Sequence, residues 1–175
     1  MAYNSCKSVT LNSIDSRCEQ SIGGIEMILI APVDDVTKID VDTDGNVTGI
    51  TMATGKKFQQ WKFRQNTGSY TSTATSDTTI GSSSVSTEVS LQFSRAEVEK
   101  RLEIQAAINT DVYVIVKDRY EGYLLIGKDN GVYISNAVMQ SGTATSDLSG
   151  FTLTFTAETA EYPNFVTASV INGLI

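Results

Sequence analysis

QNTGSYTSTATSDTTIGSSSVSTEVSLQFSRAEVEKRLEIQAAIN (residues 65–109) decides the fold. In residues 67–90, fifteen of twenty-four positions are Ser or Thr, a composition usual for a solvated linker, yet the order within it is regular. Ser69, Thr71, Thr73 and Thr75 share one parity, and Tyr70, Ser72 and Ala74 the other. From residue 85 the alternation sharpens. Val85, Thr87, Val89, Leu91 and Phe93 fall on one face, and Ser86, Glu88, Ser90 and Gln92 on the opposite one. A period of two predicts strands, because successive side chains leave a sheet on opposite sides. Two strands are therefore expected, joined around residues 77–84, with one face buried and the other covered in hydroxyls.

Behind them, Ser94-Arg95-Ala96-Glu97 has the pattern of a reciprocal helix cap, in which Ser and Glu satisfy each other's free amides. It predicts a helix over residues 94–109. Val98, Leu102, Ala106 and Ile108 form the stripe expected to pack on the strands.

Working outward, residues 25–31 read as a short apolar strand closed by Pro32, and residues 38–52 as a hairpin turning at Asp44-Gly45-Asn46. Residues 55–64 alternate through Gln59, Trp61 and Phe63, which favours core or subunit interface over a sugar platform for the lone Trp. The run 112–116 suits a fully buried central strand. Further strands follow at 123–127, 132–139 and 151–157, and the apolar end, 165–175, is expected to add a last one. Nine to eleven strands in hairpin order with one good helix predict a mainly β fold, an antiparallel β-sandwich or barrel with a flanking α-helix, in a single domain. Residues 1–24 are polar and poorly periodic, and are expected to be an arm that orders against a neighbour.

The composition narrows function mostly by exclusion. The 175 residues carry 13 Lys and Arg against 20 Asp and Glu, net −7, which argues against affinity for nucleic acid through phosphate neutralisation. No basic residue lies between Arg64 and Arg95, or after Lys128. Histidine is absent, which removes the usual base of nucleophilic triads and the commonest metal ligand. Cys6 and Cys18 are read as reduced, unrelated thiols. Neither a signal peptide nor an apolar run long enough for a membrane span is visible.

Asp40-x-Asp42-x-Asp44-Gly45 matches the opening of a calcium loop, but Thr51 stands where the bidentate Glu is required. It is read as a solvated acidic turn, with Asp40, Asp42 and Asp44 kept as a weak calcium candidate. Asp111, Asp118, Asp129 and Asp147 sit at expected strand ends, where Asp commonly bonds its own backbone, although any two could converge as a hydrolytic pair. No phosphate loop, dinucleotide fingerprint or nucleophile elbow occurs. No cofactor and no enzyme activity are expected.

The succession GSYTSTATSD (68–77), VSTEVSLQFSRAEVEKRLEIQAAI (85–108), DVYVIVKDRYEGYLLIGKDNGVYISNA (111–137) and SGTATSDLSGFTLTFTAE (141–158) resembles virion structural proteins of phages infecting Bacteroidetes, including the crAss-like phages, and more loosely phage tail tube proteins. The resemblance covers residues 56–160. It implies a subunit that self-assembles into rings, commonly hexameric and stacked, whose sheets join into an inner barrel for DNA ejection. It also implies other phage tail or neck proteins as partners, a virion location after synthesis in the host cytoplasm, and no membrane. Under it, Ser69, Thr71, Thr73, Thr75, Ser86, Glu88, Ser90 and Gln92 are expected to face the lumen, where hydroxyls and carboxylates let DNA pass without holding it. Tail tube and head-to-tail connector rings both fit. From another class, a secreted β-sandwich module binding glycan or calcium stands as the alternative.

Overall fold

The computed structural model describes residues 12–16, 22–77, 79, 81–120 and 122–175. Cys6, Cys18 and most of the expected arm lie outside the described residues.

Eleven strands, two α-helices and a 3-10 turn (Val33–Asp35) occur among the described residues: β1 (Ile25–Pro32), β2 (Val36–Val41), β3 (Val47–Met52), β4 (Gln59–Lys62), β5 (Gly68–Asp77), β6 (Ser82–Ser94), α1 (Val98–Ile108), β7 (Val112–Asp118), β8 (Tyr123–Ile126), β9 (Tyr133–Gln140), β10 (Gly150–Thr159), β11 (Asn164–Phe165) and α2 (Ala168–Ile171). Every strand pair is antiparallel, in one sheet of order β11-β8-β7-β1-β4, a second of order β5-β6-β10-β9, and the separate hairpin β2-β3. The fold is mainly β, an antiparallel sandwich with a flanking helix, as the sequence predicts.

The two large sheets bury one core between them. Ile28, Ile30, Val114 and Val116 from the first meet Val89, Leu91, Leu153 and Phe155 from the second. The opposite face of the first sheet, with Leu29, Ala31, Ile115 and Leu125, is covered by Val47 and Phe58 and by Ile171 and Leu174 near the chain end. Strand β7 is thus apolar on both faces, which is why residues 112–116 read as an unbroken hydrophobic run rather than an alternating one. Trp61 packs edge-on to Phe93 and Phe155, with ring centroids 5.8 and 6.1 Å away, so the lone Trp belongs to the margin of this core.

Three expectations are corrected. The cap does not form at Ser94: that residue pairs with Gly150 at the end of β6, Arg95 turns with φ 64°, and α1 starts after Glu97 with no side-chain cap. Strand pairing claims the Ser before the helix can use it. The Lys100 ammonium instead ties the junction, donating to the Ser94 carbonyl at 2.8 Å and pairing with Glu97 at 2.9 Å. The buried face of α1 also differs. Val98, Leu102 and Ile108 are 67%, 55% and 40% exposed, whereas Ile104 and Ala107 are buried, Ile104 entering the inter-sheet core. At the chain end, the expected strand over 165–175 shrinks to the two residues of β11, and residues 168–171 coil into α2, whose Ile171 is buried.

Candidate functional site

The second sheet organises the candidate site. Registration of β5 against β6 sets Ser69 opposite Ser90, Thr71 opposite Glu88 and Thr73 opposite Ser86, with Thr75 opposite Ser84. Directly opposed residues project from the same side of a sheet. The burial of Val85, Thr87, Val89 and Leu91 fixes that side as the outer one. All eight residues named from the sequence, Gln92 included, therefore lie together on one face.

The face extends further than the sequence reading took it. Strand β10 continues it through Thr152 opposite Gln92, Thr154 opposite Ser90, Thr156 opposite Glu88 and Glu158 opposite Ser86. Beyond β10, Asn136 faces Thr154 and Val138 faces Thr152 on β9. A bulge between Thr154 and Phe155 admits Ser135, whose hydroxyl accepts a 2.8 Å hydrogen bond from Thr156 and donates to the Thr154 carbonyl at 3.2 Å. The alternation of FTLTFTAE carries this signal, since Thr152, Thr154 and Thr156 recur with period two as Ser86, Glu88, Ser90 and Gln92 do on β6.

The charge distribution is one-sided. None of the four strands contains Lys or Arg, and their only charged residues are Asp77, Glu88 and Glu158. All 13 basic residues of the chain lie elsewhere. The sheet also ends on two outer strands, β5 and β9, and in this antiparallel order the two run in opposite directions. On the inner side of β5, burial raises the Tyr70 phenol above its ordinary value, and the charge of Asp118 adds to it.

The acidic hairpin between β2 and β3 is held by its own turn. The Asp42 carboxylate accepts from the amides of Asp44 at 2.9 Å and Asn46 at 2.8 Å, and the Asn46 bond leads in holding it below the ordinary Asp value. Asp40 pairs with Lys38 at 2.5 Å. Asp40, Asp42 and Asp44 do not converge as ligands: among the described residues no group of three or more His, Cys, Asp or Glu could hold a metal. Asp118 and Asp147 likewise accept from nearby backbone amides, Asp118 from Tyr120 and Gly122, Asp147 from Thr143 and Ala144. No helix among the described residues is long and apolar enough to cross a membrane.

No family model matches the chain, and no curated protein matches it. Among solved structures, a chain from "Virion of native gene transfer agent (GTA) particle" is similar over 78% of this chain and 99% of that one, at 11% identity and a TM-score of 0.38. A likeness at that level carries no argument about role.

Proposed function

We propose that this protein is a non-enzymatic virion subunit that closes into a ring, with the outer face of β5-β6-β10-β9 turned towards a channel for DNA. The observation that carries the reading is the broad face of hydroxyls and carboxylates on four strands without a single Lys or Arg. A cation facing the phosphates would displace counterions on contact and hold the polyanion in place. Hydroxyls keep the surface wet, and Glu88 and Glu158 repel weakly.

The outer strands support the ring. Unpaired edges template further pairing unless they are blocked, and repeated head-to-tail contact closes when the rotation allows. Because β5 and β9 run oppositely, β9 of one copy meets β5 of the next antiparallel, which preserves the alternation of the sheet around the ring. A sixfold ring, as a repeating tail tube subunit or as a connector at the head-to-tail junction, is the form the resemblance of the sequence favours.

Electron microscopy of the purified protein at high concentration tests this. Annuli or stacked tubes with residues 69–75 and 86–92 on the inside are expected. A monomer at every concentration that binds a glycan would overturn the reading in favour of a binding module.

A further inference from the structure

The two ends of the first sheet carry opposite charge. At one end, where β1 begins and β7 finishes, the Arg119 guanidinium lies against Gly24 and donates to the neutral side chain of Asn66 at 2.8 Å. The exposed Arg64, just beyond β4, has no ion pair among the described residues. The described carboxylates of this end are already engaged, Glu26 with Lys117 at 2.6 Å and Asp118 with the amides of Tyr120 and Gly122. Two guanidinium groups are left without a carboxylate.

At the other end the imbalance is acidic. The amide of Val33 donates to the Asp111 carbonyl at 3.0 Å, which brings the segments of Asp34 and Asp111 together. Both aspartates are exposed, and neither has an ion pair among the described residues. The cations nearby have other carboxylates, Lys56 that of Asp35 at 3.2 Å and Lys128 that of Asp129 at 3.8 Å. Asp111 also follows the C-terminal end of α1, whose last turn holds no basic residue, so a carboxylate adds to the negative end of the helix dipole. Within one molecule the two ends cannot meet: β1 separates them by about seven residue steps, roughly 23 Å at ~3.3 Å each, beyond the reach of an arginine.

Their placement matches the open edges of the second sheet. The basic end borders β5, since a Cβ at Gly68 would stand 2.5 Å from Phe63 and 2.8 Å from Ile25. The acidic end borders β9, since Val112 and Val132 exchange backbone hydrogen bonds of 2.9 and 2.7 Å immediately before Tyr133 opens that strand. Bringing β9 of one copy to β5 of the next therefore carries the acidic end of the first towards the basic end of the second. Joining β5 to β5, or β9 to β9, would instead set like charges together, which disfavours the wrong pairing.

We infer that Arg64 and Arg119 of one copy pair with Asp34 and Asp111 of the next, a charged contact between first sheets that fixes head-to-tail order. It rests on the ring closure proposed above and is independent of what the channel carries.

Sedimentation of the full chain over a range of concentrations at low salt tests this contact. Arg64→Glu is expected to raise the midpoint of association by about ten-fold or more, and Asp111→Arg to do the same. A chain carrying both changes regains opposite charges at each contact, and is expected to return to within about three-fold of the native midpoint. Both positions are exposed, and urea unfolding of each variant checks that its fold is intact. A native midpoint for Arg64→Glu, or a double variant that associates no better than the single ones, overturns the inference and leaves the ring standing. A native chain that stays monomeric at every concentration overturns ring and contact together. Rings that depend on Arg64 but carry residues 69–75 on the outside would keep this contact and remove the channel.

Discussion

Ser72 Oγ and Thr87 Oγ1 lie 2.9 Å apart across the β5-β6 ladder, on the side facing into the sandwich, where Thr87 is only 1% exposed. A buried hydroxyl is costly unless partnered, so this pair ties the edge strand to its neighbour at a fixed register. Ser72→Ala should destabilise the fold by about 1–3 kcal/mol in urea because it leaves the buried Thr87 hydroxyl without its partner, and Thr87→Val by less because the half-buried Ser72 keeps access to water. The double variant should cost less than the sum, with a coupling of about 0.5–1.5 kcal/mol.

The two faces of α1 should answer oppositely to truncation. Ile104→Ala should cost about 2–4 kcal/mol through the cavity it opens in the inter-sheet core. Leu102→Ala, on the exposed side, should stay within about 0.5 kcal/mol. Equilibrium denaturation of both variants checks the orientation of the helix, since the reverse ranking would place Leu102 inside.

Gly150 opens β10 at a close approach to β6: a Cβ there would stand 1.9 Å from the Phe93 carbonyl oxygen, at φ 155°. The clash is with backbone and no side-chain movement relieves it. Gly150→Ala should therefore destabilise by about 1–3 kcal/mol or more, read as a lowered midpoint of thermal unfolding.

If the hydroxyl face lines a channel for DNA as proposed, introducing cations there should create points of retention. Ser86→Lys with Ser90→Lys should leave stability nearly unchanged, because both side chains lie on the outer face. Assembled rings of that variant should retain DNA at low salt and release it as salt rises, with a slope of about −0.9 per phosphate contacted. Retention equal to that of the native protein would remove the assignment of this face to the channel.

Asp42 and Asp147 are both held below the ordinary value of 3.8, Asp42 chiefly by the Asn46 amide and Asp147 by the amides of Ala144 and Thr143. Depressed carboxylates stabilise the fold above their unfolded value, and the contribution is lost as pH falls through the folded one. Amide exchange in the 42–46 and 143–147 turns should thus accelerate as pH is lowered below about 4, after correction for intrinsic rates. Asp147→Asn should abolish that dependence in its own turn only.

The strands of the second sheet were legible in the sequence because each has one wet and one dry face, and β5 and β6 could be placed side by side from parity alone. Extension of the hydroxyl face to Thr152, Thr154 and Thr156 was written there too, but only pairing with β6 shows that those threonines share its outer side. The start of α1 was not legible. Its cap pattern is genuine as a string, yet Ser94 is already engaged in the ladder opposite Gly150, and a tertiary pairing outweighs a local cap. Nor was its buried side, since Val98 and Leu102 offer an apolar stripe as good as that of Ile104 and Ala107. The acidic hairpin reads as a solvated turn, although spacing alone does not distinguish carboxylates that surround an ion from one that folds back on its own amides, as Asp42 does.

With every Lys and Arg kept off one sheet, the molecule is polarised through its thickness. If that sheet lines a channel as proposed, a copy inserted back to front would bring guanidinium and ammonium groups where its siblings present none, and a passing polyanion would snag on that single misfit. Under that reading the electrical asymmetry would double as a proofreading device, marking the one orientation in which identical subunits leave the passage uniformly slippery.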